Sequence, residues 1–508
     1  MSRLFGIETE YGIVVEGLGA NDWINESIAV VQSYAGVAAK GWNYRSEDSR
    51  KDMRGYHVAA LTMNPDDAQF DTPGAPSRSV EEERSDRVLV NGARFYNDHG
   101  HPEYATPECR SLRDIVAHDK AGERIAFAAA QNRAKQRGLT VELFKNNTDF
   151  HGASYGTHEG YLMSRDVPTE SLIQALLPFF ATRQIYAGAG KAGIEVEKVN
   201  DPAVFQLSQR ADYFSCEASV DTLHNRPLVN TRDEPHATPR MYRRLHVICG
   251  DANMSEYATA LKIGTTSLVL DLLEEGLNPP VKLEEPVRAV KQVSRDITLK
   301  VALQRQNGPG LTAIEIQRIY LAEAQKRLKG RDEDTDWTLT EWANILEGLE
   351  TDPLSLGDKL DWVAKFNLLE AFRLEEGLKW NDPHIQSFDL AYHNIDPEIG
   401  LYYGLEQAGQ MRRLVTDARI DSAISCPPTD TRAYLRGVFV ERFASAVRKI
   451  GWNGIAFDYK GEDMIFDMNP LVEENVKILN DEIADTETLD EFVEVIRRRP
   501  NSEVSEIL

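Results

Sequence analysis

The heptapeptide Gly6-Ile7-Glu8-Thr9-Glu10-Tyr11-Gly12 constrains the fold of this chain more than any other stretch. Alternate side chains of a β-strand share a face, so Glu8 and Glu10 project together if the segment is a strand. Two neighbouring carboxylates repel each other unless a positive charge lies between them. A divalent cation such as Mg²⁺ takes oxygen ligands and bridges to phosphates. On this short motif alone, an exposed strand with two solvated glutamates is the more frequent explanation, so other residues must decide.

The length and net charge of the chain limit its possible domain organisation and partners. The 508 residues exceed what one hydrophobic core usually organises, so we expect a large domain plus a smaller one. The formal net charge of −24 argues against nucleic acid as the main partner, because phosphate binding needs a basic field. With no membrane-length apolar run and no leader pattern, we expect a cytoplasmic protein without a membrane partner. The four cysteines are widely spaced, which argues against disulfides and a zinc site.

A second row of polar residues follows an Asn-Gly hairpin turn, with a cation, a phenol and a carboxylate at every second position: Arg94, Tyr96 and Asp98. Buried charges need partners, so this row either faces solvent or lines a metal and phosphate site. Residues 97–108 are rich in polar residues and are broken by Gly and Pro. We therefore expect a loop there, at a site or on the surface, which carries Glu103.

Two further stretches suggest the domain organisation. Residues 41–86 contain many charges, three prolines and little periodicity, which predicts a mobile insertion loop. An active-site lid or regulatory loop and a plain solvated insertion fit this composition equally well. Cys426-Pro427-Pro428 marks a boundary, so we divide the chain into residues 1–426 and a small α+β domain of residues 427–508.

Histidines and arginines recur on strand-like segments in the second hundred residues and beyond. His158 and His246 are each flanked by strand formers, and such a histidine, taken alone, is more often a hydrogen-bonded core or surface residue than a ligand. Arg232 and Arg244 belong to a cluster that is either a solvated basic face or a clamp for a carboxylate or phosphate. On an acidic protein, the clamp is the better interpretation.

Taken together, several motifs resemble the Pup ligase and depupylase family, whose members are relatives of glutamine synthetase. The motifs are GIETEYG, NGARFYNDHGHPEYATPE, YGTHE, SQRADYF, NTRDEPHA, RLHVICGDAN and PPTDTRAYLRG. The resemblance runs from residue 2 to about residue 470. It implies an α+β fold in which a glutamine synthetase-like antiparallel sheet forms a cradle with helices packed behind it, and it makes residues 1–426 the catalytic domain.

The resemblance also implies roles for individual residues. Asp98 is similar to the family's catalytic aspartate, which either attacks the amide directly or acts as a base towards water. ATP, or ADP plus phosphate, and Mg²⁺ are the implied cofactors. The other implied contacts are with magnesium at Glu8, Glu10, Tyr96, Glu103, His158 and His246, with nucleotide at Arg94, Thr106, Arg244 and Trp452, and with substrate at Arg210 and Arg232.

Two branches of the family share these residues. The ligase joins the C-terminal glutamate of Pup, a small ubiquitin-like protein, to a substrate lysine through a glutamyl phosphate. The depupylase hydrolyses that isopeptide bond and deamidates a C-terminal glutamine of Pup. The insertion at 41–86 and the spacing of Asp98-His99-Gly100-His101 resemble the depupylase, whereas Ala105-Thr106-Pro107-Glu108-Cys109 resembles the ligase. We expect a depupylase that acts on Pup and pupylated proteins, with a Pup ligase or a small-molecule glutamate–amine ligase as alternatives.

Overall fold

The computed structural model describes residues 3–18, 22–61, 78–150, 152, 154–193, 205–472, 476–498 and 504–506. Residues 62–77 of the predicted loop therefore lie outside the described residues. The strands are β1 (Phe5–Glu10), β2 (Gly12–Val15), β3 (Ala38–Ala39), β4 (Arg87–Leu89), β5 (Arg94–Asp98), β6 (His101–Ala105), β7 (Val141–Phe144), β8 (Thr157–Ser164), β9 (Lys191–Ala192), β10 (Phe205–Gln206), β11 (Phe214–Ser219), β12 (Arg226–Asn230), β13 (Tyr242–Val247), β14 (Val447–Gly451), β15 (Gly454–Tyr459), β16 (Glu462–Asp467) and β17 (Val504–Glu506).

The helices surround these strands and dominate the middle of the chain. They are α1 (Trp23–Gln32), α2 (Val80–Arg84), α3 (Leu112–Arg137), α4 (Thr169–Ala187), α5 (Glu256–Glu274), α6 (Pro286–Arg295), α7 (Ala313–Leu328), α8 (Glu333–Thr351), α9 (Asp361–Glu376), α10 (Pro383–Tyr392), α11 (Leu401–Gln407), α12 (Asp417–Ser425), α13 (Arg432–Phe443), α14 (Lys477–Ala484) and α15 (Leu489–Arg497). Among the described residues, no helix combines the length and apolar content that a membrane crossing needs.

A seven-stranded antiparallel sheet positions the site, in the order β13-β8-β1-β6-β5-β4-β3. The central strand β1 alternates as its sequence predicts. Phe5 and Ile7 are buried in the main core, which they share with α3, α4 and α5, whereas Glu8 and Glu10 project from the other face. The α+β fold with an antiparallel sheet backed by helices is confirmed.

Helices α3 and α5 form the layer behind the sheet. α3 begins at Ser111, whose side chain accepts a hydrogen bond from the backbone N–H of Asp114, and it ends at Gly138, whose φ of 69° is the left-handed conformation typical of a helix terminus. α5 is buried along almost its whole length, because apolar or small residues occupy every side of it. Both helices therefore present packing surface to the sheet rather than to solvent.

The prediction of a loop over residues 97–108 is wrong in the middle of that range. Strand β6 lies inside the sheet, between β1 and β5. Pro102 is tolerated because it lies beyond the last residue pair with β1, where Glu10 opposes Glu103. Its carbonyl still accepts the N–H of Tyr11 at 2.9 Å, so a proline near the strand start costs little there.

The small C-terminal unit is built from α13, β14–β17, α14 and α15, and its four strands form a separate sheet. Its core also contains Trp42 and Val88 from the larger part of the chain. Trp42 is 1% exposed and forms a β-bridge with Ile450. The boundary after residue 426 stays a prediction, and the N-terminal end of the 41–86 stretch packs against this unit.

Candidate active site

The register of the central strands brings the predicted carboxylates and imidazoles to one face of the sheet. Glu8 lies opposite His158 of β8, Glu10 lies opposite Glu103 of β6, and Glu103 lies opposite Tyr96 of β5. Because directly opposed residues of antiparallel strands point the same way, these side chains form one polar surface. The rows of alternate polar residues in the sequence thus lie side by side, because distant segments of the chain pair within the sheet.

A cleft of about 500 Å³ opens above this surface. Every predicted site residue except Thr106 lines it: Glu8, Glu10, Arg94, Tyr96, Asp98, Glu103, His158, Arg210, Arg232, Arg244, His246 and Trp452. Thr106 lies in the adjoining slot described below. The structure therefore brings together residues from opposite ends of the chain, as far apart in sequence as Glu8 and Trp452.

Two groups of side chains in the cleft have the spacing of a metal site. The potential ligand atoms of Glu8, His158 and His246 lie within 4.8 Å of one another, and so do those of Glu10, Glu103 and His158. His158 is common to both groups. Carboxylate oxygens suit Mg²⁺ or Mn²⁺, whereas imidazole nitrogens also accept other transition metals.

Unsatisfied polar atoms support the fit to a cation. Among the described residues, Oε2 of Glu103 and both ring nitrogens of His246 are buried without a hydrogen-bond partner. Burial, followed by repulsion from Arg244, lowers the pKa of His246 to about 3, so its imidazole is in the neutral form that ligates metals. Buried polar atoms without partners are costly unless a ligand satisfies them. The residues present therefore fit a divalent cation.

The two glutamates of β1 have different electrostatic surroundings. Burial by itself raises the pKa of Glu8, but Arg244, whose Nη2 donates to Oε1 at 2.5 Å, together with His158 and His246, outweighs burial and holds the pKa well below its usual value. Glu10 accepts the backbone N–H of Gly156 at 2.6 Å. Glu8 is therefore ionised and oriented before any cation binds.

Glu103 is the opposite case. Burial, and then the negative charges of Glu10 and Glu8, raise the pKa of Glu103 well above its usual value. Three carboxylates on adjacent strands cannot all be ionised cheaply in a buried place. A cation between them would remove this repulsion. Binding of a positive charge at this cluster is therefore electrostatically favourable.

Asp98 lies at the end of β5, at the edge of the cleft. Its Oδ1 pairs with the guanidinium of Arg84 on α2 and lies 2.9 Å from Nδ1 of His99. The carboxylate is 16% exposed, so it is reachable from the cleft. A partly buried carboxylate beside a cationic group is suited to act on a substrate as a nucleophile or base.

Beside the cleft, a narrower slot of about 90 Å³ shares four lining residues with it: Glu8, His236, Arg244 and Trp452. Its other walls are mainly apolar side chains and backbone of β1, β6 and β8. Oγ1 of Thr106 accepts the N–H of Ile7 at 3.0 Å, which fixes the wall on that side. An apolar slot that opens on an arginine suits a planar ring attached to an anionic group.

The three remaining arginines are held differently. The guanidinium of Arg94 bonds Asp86 at 2.7 Å and lies between the rings of Trp42 and Tyr96, so its donors are largely occupied. Arg210 is 1% exposed and donates to the carbonyl of Ile248, while among the described residues its Nε has no partner. Arg232 donates to the Val220 carbonyl and to Thr222. The roles predicted for these three residues stay predictions.

Sequence reasoning missed several residues that line the cleft. Arg84 gives no local signal, because it lies within the irregular stretch and meets Asp98 only through the packing of α2. Glu234 and His236 belong to the NTRDEPHA motif, whose polar density was a usable signal. His236 also has a φ of 48°, a strained conformation for a residue with a side chain.

Comparison with known proteins identifies the family. The model of the Pup-ligase protein family matches residues 3–456. The chain belongs to the Pup-ligase family. Among curated relatives of this family member, the depupylase of Acidothermus cellulolyticus is 43% identical over 477 residues, which cover 92% of this chain and 93% of the relative. The Pup–protein ligase of Nocardioides sp. is 44% identical over 371 residues, which cover 71% of this chain and 81% of the relative.

Solved structures agree with the family assignment. The Pup ligase PafA in complex with Pup superimposes on this Pup-ligase family member with a TM-score of 0.75 at 30% identity, covering 98% of this chain and 95% of PafA. PafA in complex with ADP gives a TM-score of 0.71 at 33% identity, covering 85% of this chain and 96% of that structure. The glutamine synthetase-like fold implied by the motifs is confirmed.

Proposed function

We propose that this Pup-ligase family member is a depupylase and Pup deamidase. It hydrolyses the isopeptide bond between the C-terminal glutamate of Pup and a substrate lysine, and it converts a C-terminal glutamine of Pup to glutamate. The observation that carries this proposal is the match to the Acidothermus depupylase, which spans nearly the full length of both chains. The match to the Nocardioides ligase leaves more than a quarter of this chain uncovered.

The proposed cofactors are ATP, or ADP plus phosphate, and Mg²⁺. Glu8, Glu10, Glu103, His158 and His246 would hold the cation, since their ligand atoms are grouped and partly unsatisfied. The adjoining slot would take the nucleotide base, with Thr106, Arg244 and Trp452 in its walls. When bound, the cation neutralises phosphate charge and polarises the site. The ADP complex of PafA supports nucleotide binding in this family.

Amide hydrolysis needs an attacking oxygen, stabilisation of charge on the carbonyl and a proton for the leaving amine. Asp98 would supply the attack, either through its own oxygen or by taking a proton from water. Arg232 and Arg244 would stabilise the oxyanion or the terminal carboxylate of Pup, and Arg210 brings a buried positive charge to the same cleft. These assignments rest on position in the cleft and on the charges around it.

The Pup ligase is the second candidate, because the Nocardioides relative and both solved structures carry that name. The deciding experiment incubates the protein with ATP and Mg²⁺ in two mixtures. One contains a preformed Pup conjugate, and the other contains Pup ending in glutamate with an unmodified target protein. Loss of conjugate supports the depupylase, whereas new conjugate in the second mixture contradicts it and supports the ligase. A third mixture contains free glutamate and a small amine in place of Pup, and formation of a small-molecule amide there, with no change in the other two mixtures, would contradict both.

Replacing Asp98 tests the chemical role directly. We expect Asp98→Asn to lower conjugate cleavage by at least about 1,000-fold while nucleotide affinity stays within about twofold of wild type, because the amide neither attacks nor accepts a proton. Cleavage is followed by gel densitometry and nucleotide binding by calorimetry. The exposed Asp463→Asn is the matched control and should behave as wild type. Turnover near wild type in Asp98→Asn would contradict the role.

A further inference from the structure

Two aliphatic side chains lie in the wall of the otherwise polar and aromatic cleft. They are Leu61 and Leu223, and among the described residues every other side chain that lines the cleft is charged, polar or aromatic. Leu223 is 40% exposed. A single exposed leucine on an open surface needs no explanation. Inside a binding cleft, its hydrated apolar surface favours contact with an apolar part of a ligand.

Leu223 lies in the connection between β11 and β12, and hydrogen bonds fix the backbone just before it. Nε of Arg232 donates to the Val220 carbonyl at 2.9 Å, and its Nη2 donates to the Thr222 hydroxyl at 3.0 Å. Nε of Arg226 donates to the Thr222 carbonyl at 2.8 Å. Because the preceding backbone is held in place, contact of a ligand with Leu223 costs little additional ordering of the loop.

The same connection is joined to the end of the sheet that carries the candidate reacting carboxylate. Nη2 of Arg226 donates to the Ser154 carbonyl at 2.6 Å. The ring of the next residue, Tyr155, stacks on that of His101, with the ring centroids 4.4 Å apart. His101 is in turn the strand partner of Asp98. The exposed leucine and the carboxylate therefore lie at the same end of the cleft.

The two proposed reactions differ in the leaving group that lies beside this carboxylate. Cleavage of a conjugate adds water to the isopeptide bond and releases the lysine amine, which carries a stem of four methylene groups. Deamidation adds water to the terminal amide of Pup and releases ammonia, which has no stem. Because the methylene stem of lysine packs readily on apolar surface, an exposed leucine at this place would contact one leaving group and not the other.

We propose that Leu223 is a specificity-determining residue that packs on the methylene stem of the substrate lysine while the isopeptide bond lies at Asp98. The proposal rests on the proposed function, since it takes that bond as the substrate. It deepens that function by assigning a contact to the leaving lysine rather than to Pup. A change of a methylene group or more in an enclosed apolar pocket alters specificity by about 10–200-fold, so a contact in an open cleft should contribute less.

Three substrates with different leaving groups test this contact. They are Pup ending in glutamine, Pup whose terminal glutamate carries a γ-butylamide, and a protein conjugate of Pup. The butylamide has the four-carbon stem without the rest of a protein. We expect Leu223→Ala to lower kcat/KM roughly 5–10-fold for the butylamide and the conjugate, and to leave deamidation within about twofold of wild type. Leu223→Met keeps an apolar side chain and should stay within about twofold on all three substrates.

The ratio of kcat/KM for the butylamide to that for the glutamine substrate is the deciding quantity, because it does not depend on the folded fraction of a variant. Leu354→Ala is the matched control, since Leu354 is 41% exposed and lies outside the cleft. It should keep the wild-type ratio. Wild-type kinetics of Leu223→Ala would overturn the proposal, and so would an equal fall with all three substrates or a fall with the conjugate alone.

If the wild type forms conjugates and does not cleave them, the proposed function fails on its own. Leu223 is then tested with two small acceptors, n-butylamine with a stem and hydroxylamine without one, each with ATP, Mg²⁺ and Pup ending in glutamate. Leu223→Ala should slow formation of the butylamide and leave formation of the hydroxamate unchanged. An equal effect on both products would overturn the contact with the stem.

Discussion

Glu103 is the cleft glutamate whose pKa burial, and then Glu10 and Glu8, raise well above its usual value, so a bound cation would stabilise its ionised form. It is 1% exposed and faces Glu10 across the sheet, with Glu8 close by. We expect Glu103→Gln to raise the free energy of unfolding without Mg²⁺ by about 1 kcal/mol, because the substitution removes a buried ionisable group and its repulsion from Glu10 and Glu8, which together raise the pKa of Glu103. It should also remove the stabilisation of about 2–3 kcal/mol that saturating Mg²⁺–ATP gives the wild type.

Denaturant unfolding with and without Mg²⁺–ATP checks both signs. Glu217→Gln is the matched control, because it is an exposed glutamate on strand β11. This control should leave the stability and its response to Mg²⁺–ATP unchanged. A Glu103→Gln protein that is less stable than wild type without the cation, or that is stabilised by it to the full extent, contradicts the assignment of Glu103 to the cation site.

The sequence predicted which side chains of one strand share a face. It did not predict which strands lie next to each other. The period of two placed Glu8 with Glu10, and Arg94 with Tyr96 and Asp98, before any fold was known. Which rows lie side by side depends on register between segments about 90 residues apart, for which local spacing carries no information. The family resemblance supplied that link. Neither the strand spacing nor the family resemblance predicted Arg84, because the helix that carries it is only five residues long.

At the level of elements, residues 51–57 form a clip on the loop that carries Arg232. Asp52 is 1% exposed, bonds Arg54, and accepts the hydroxyl of Thr231 at 2.6 Å. The backbone N–H of Met53 donates to the Thr231 carbonyl at 2.8 Å, and Asp52 forms a β-bridge with Arg232. The first part of the predicted insertion loop is thus attached to the segment that brings Arg232 to the cleft, and the mobility of the loop stays a prediction.

We expect Asp52→Asn to raise KM for the conjugate about tenfold with kcat nearly unchanged, since loosening the clip costs about one hydrogen bond of substrate binding through Arg232. Steady-state kinetics on a Pup conjugate measure both constants, and nucleotide affinity should not change. Asp463→Asn is the control, because Asp463 is exposed on strand β16 of the C-terminal unit and lies outside the clip. A fall in kcat at constant KM would show that the clip does not act through Arg232.

For strand β6, the amino-acid composition predicted a loop and the structure has a strand. Gly, Pro and polar residues usually mark a loop, yet here a segment that begins with His101 and Pro102 is an inner strand, and its Glu103 faces the cleft. Polar residues inside a sheet contradict the usual pattern of buried apolar alternation. Functional sites are where such local rules fail, because the chemistry requires charges that packing would otherwise exclude.

At the level of the whole molecule, Glu108 joins the two parts of the chain. It accepts hydrogen bonds from Arg432 at 2.8 Å and from Arg436, both on α13 of the C-terminal unit. Burial opposes ionisation, but Arg436 and then Arg432 outweigh it and lower the pKa of Glu108 to about 2. Arg436 also lies over the ring of Trp452, at 4.8 Å, so the pair is next to the predicted nucleotide slot.

A carboxyl group whose folded pKa is depressed stabilises the protein above its unfolded pKa, and the contribution disappears as the pH falls towards the folded value. For Glu108 the window runs from about 4.5 down to about 2. We expect Glu108→Gln to lower the free energy of unfolding by about 3 kcal/mol near neutral pH, because two buried guanidinium groups lose their counter-charge. The difference in the free energy of unfolding between variant and wild type should shrink as the pH falls below about 4.5, because the wild-type carboxyl then begins to lose the stabilisation that its ionised form provides.

Urea unfolding of wild type and variant near neutral pH and again about one unit below the unfolded pKa measures this change. Glu482→Gln is the control, since Glu482 is exposed on α14 of the same C-terminal unit, and it should show no difference at either pH. A destabilisation by Glu108→Gln that is independent of pH would mean that packing, rather than the charge of Glu108, stabilises the contact between the larger part of the chain and the C-terminal unit. A pH-dependent loss, accompanied by weaker nucleotide binding, would instead tie the position of Trp452 to the ionised state of Glu108.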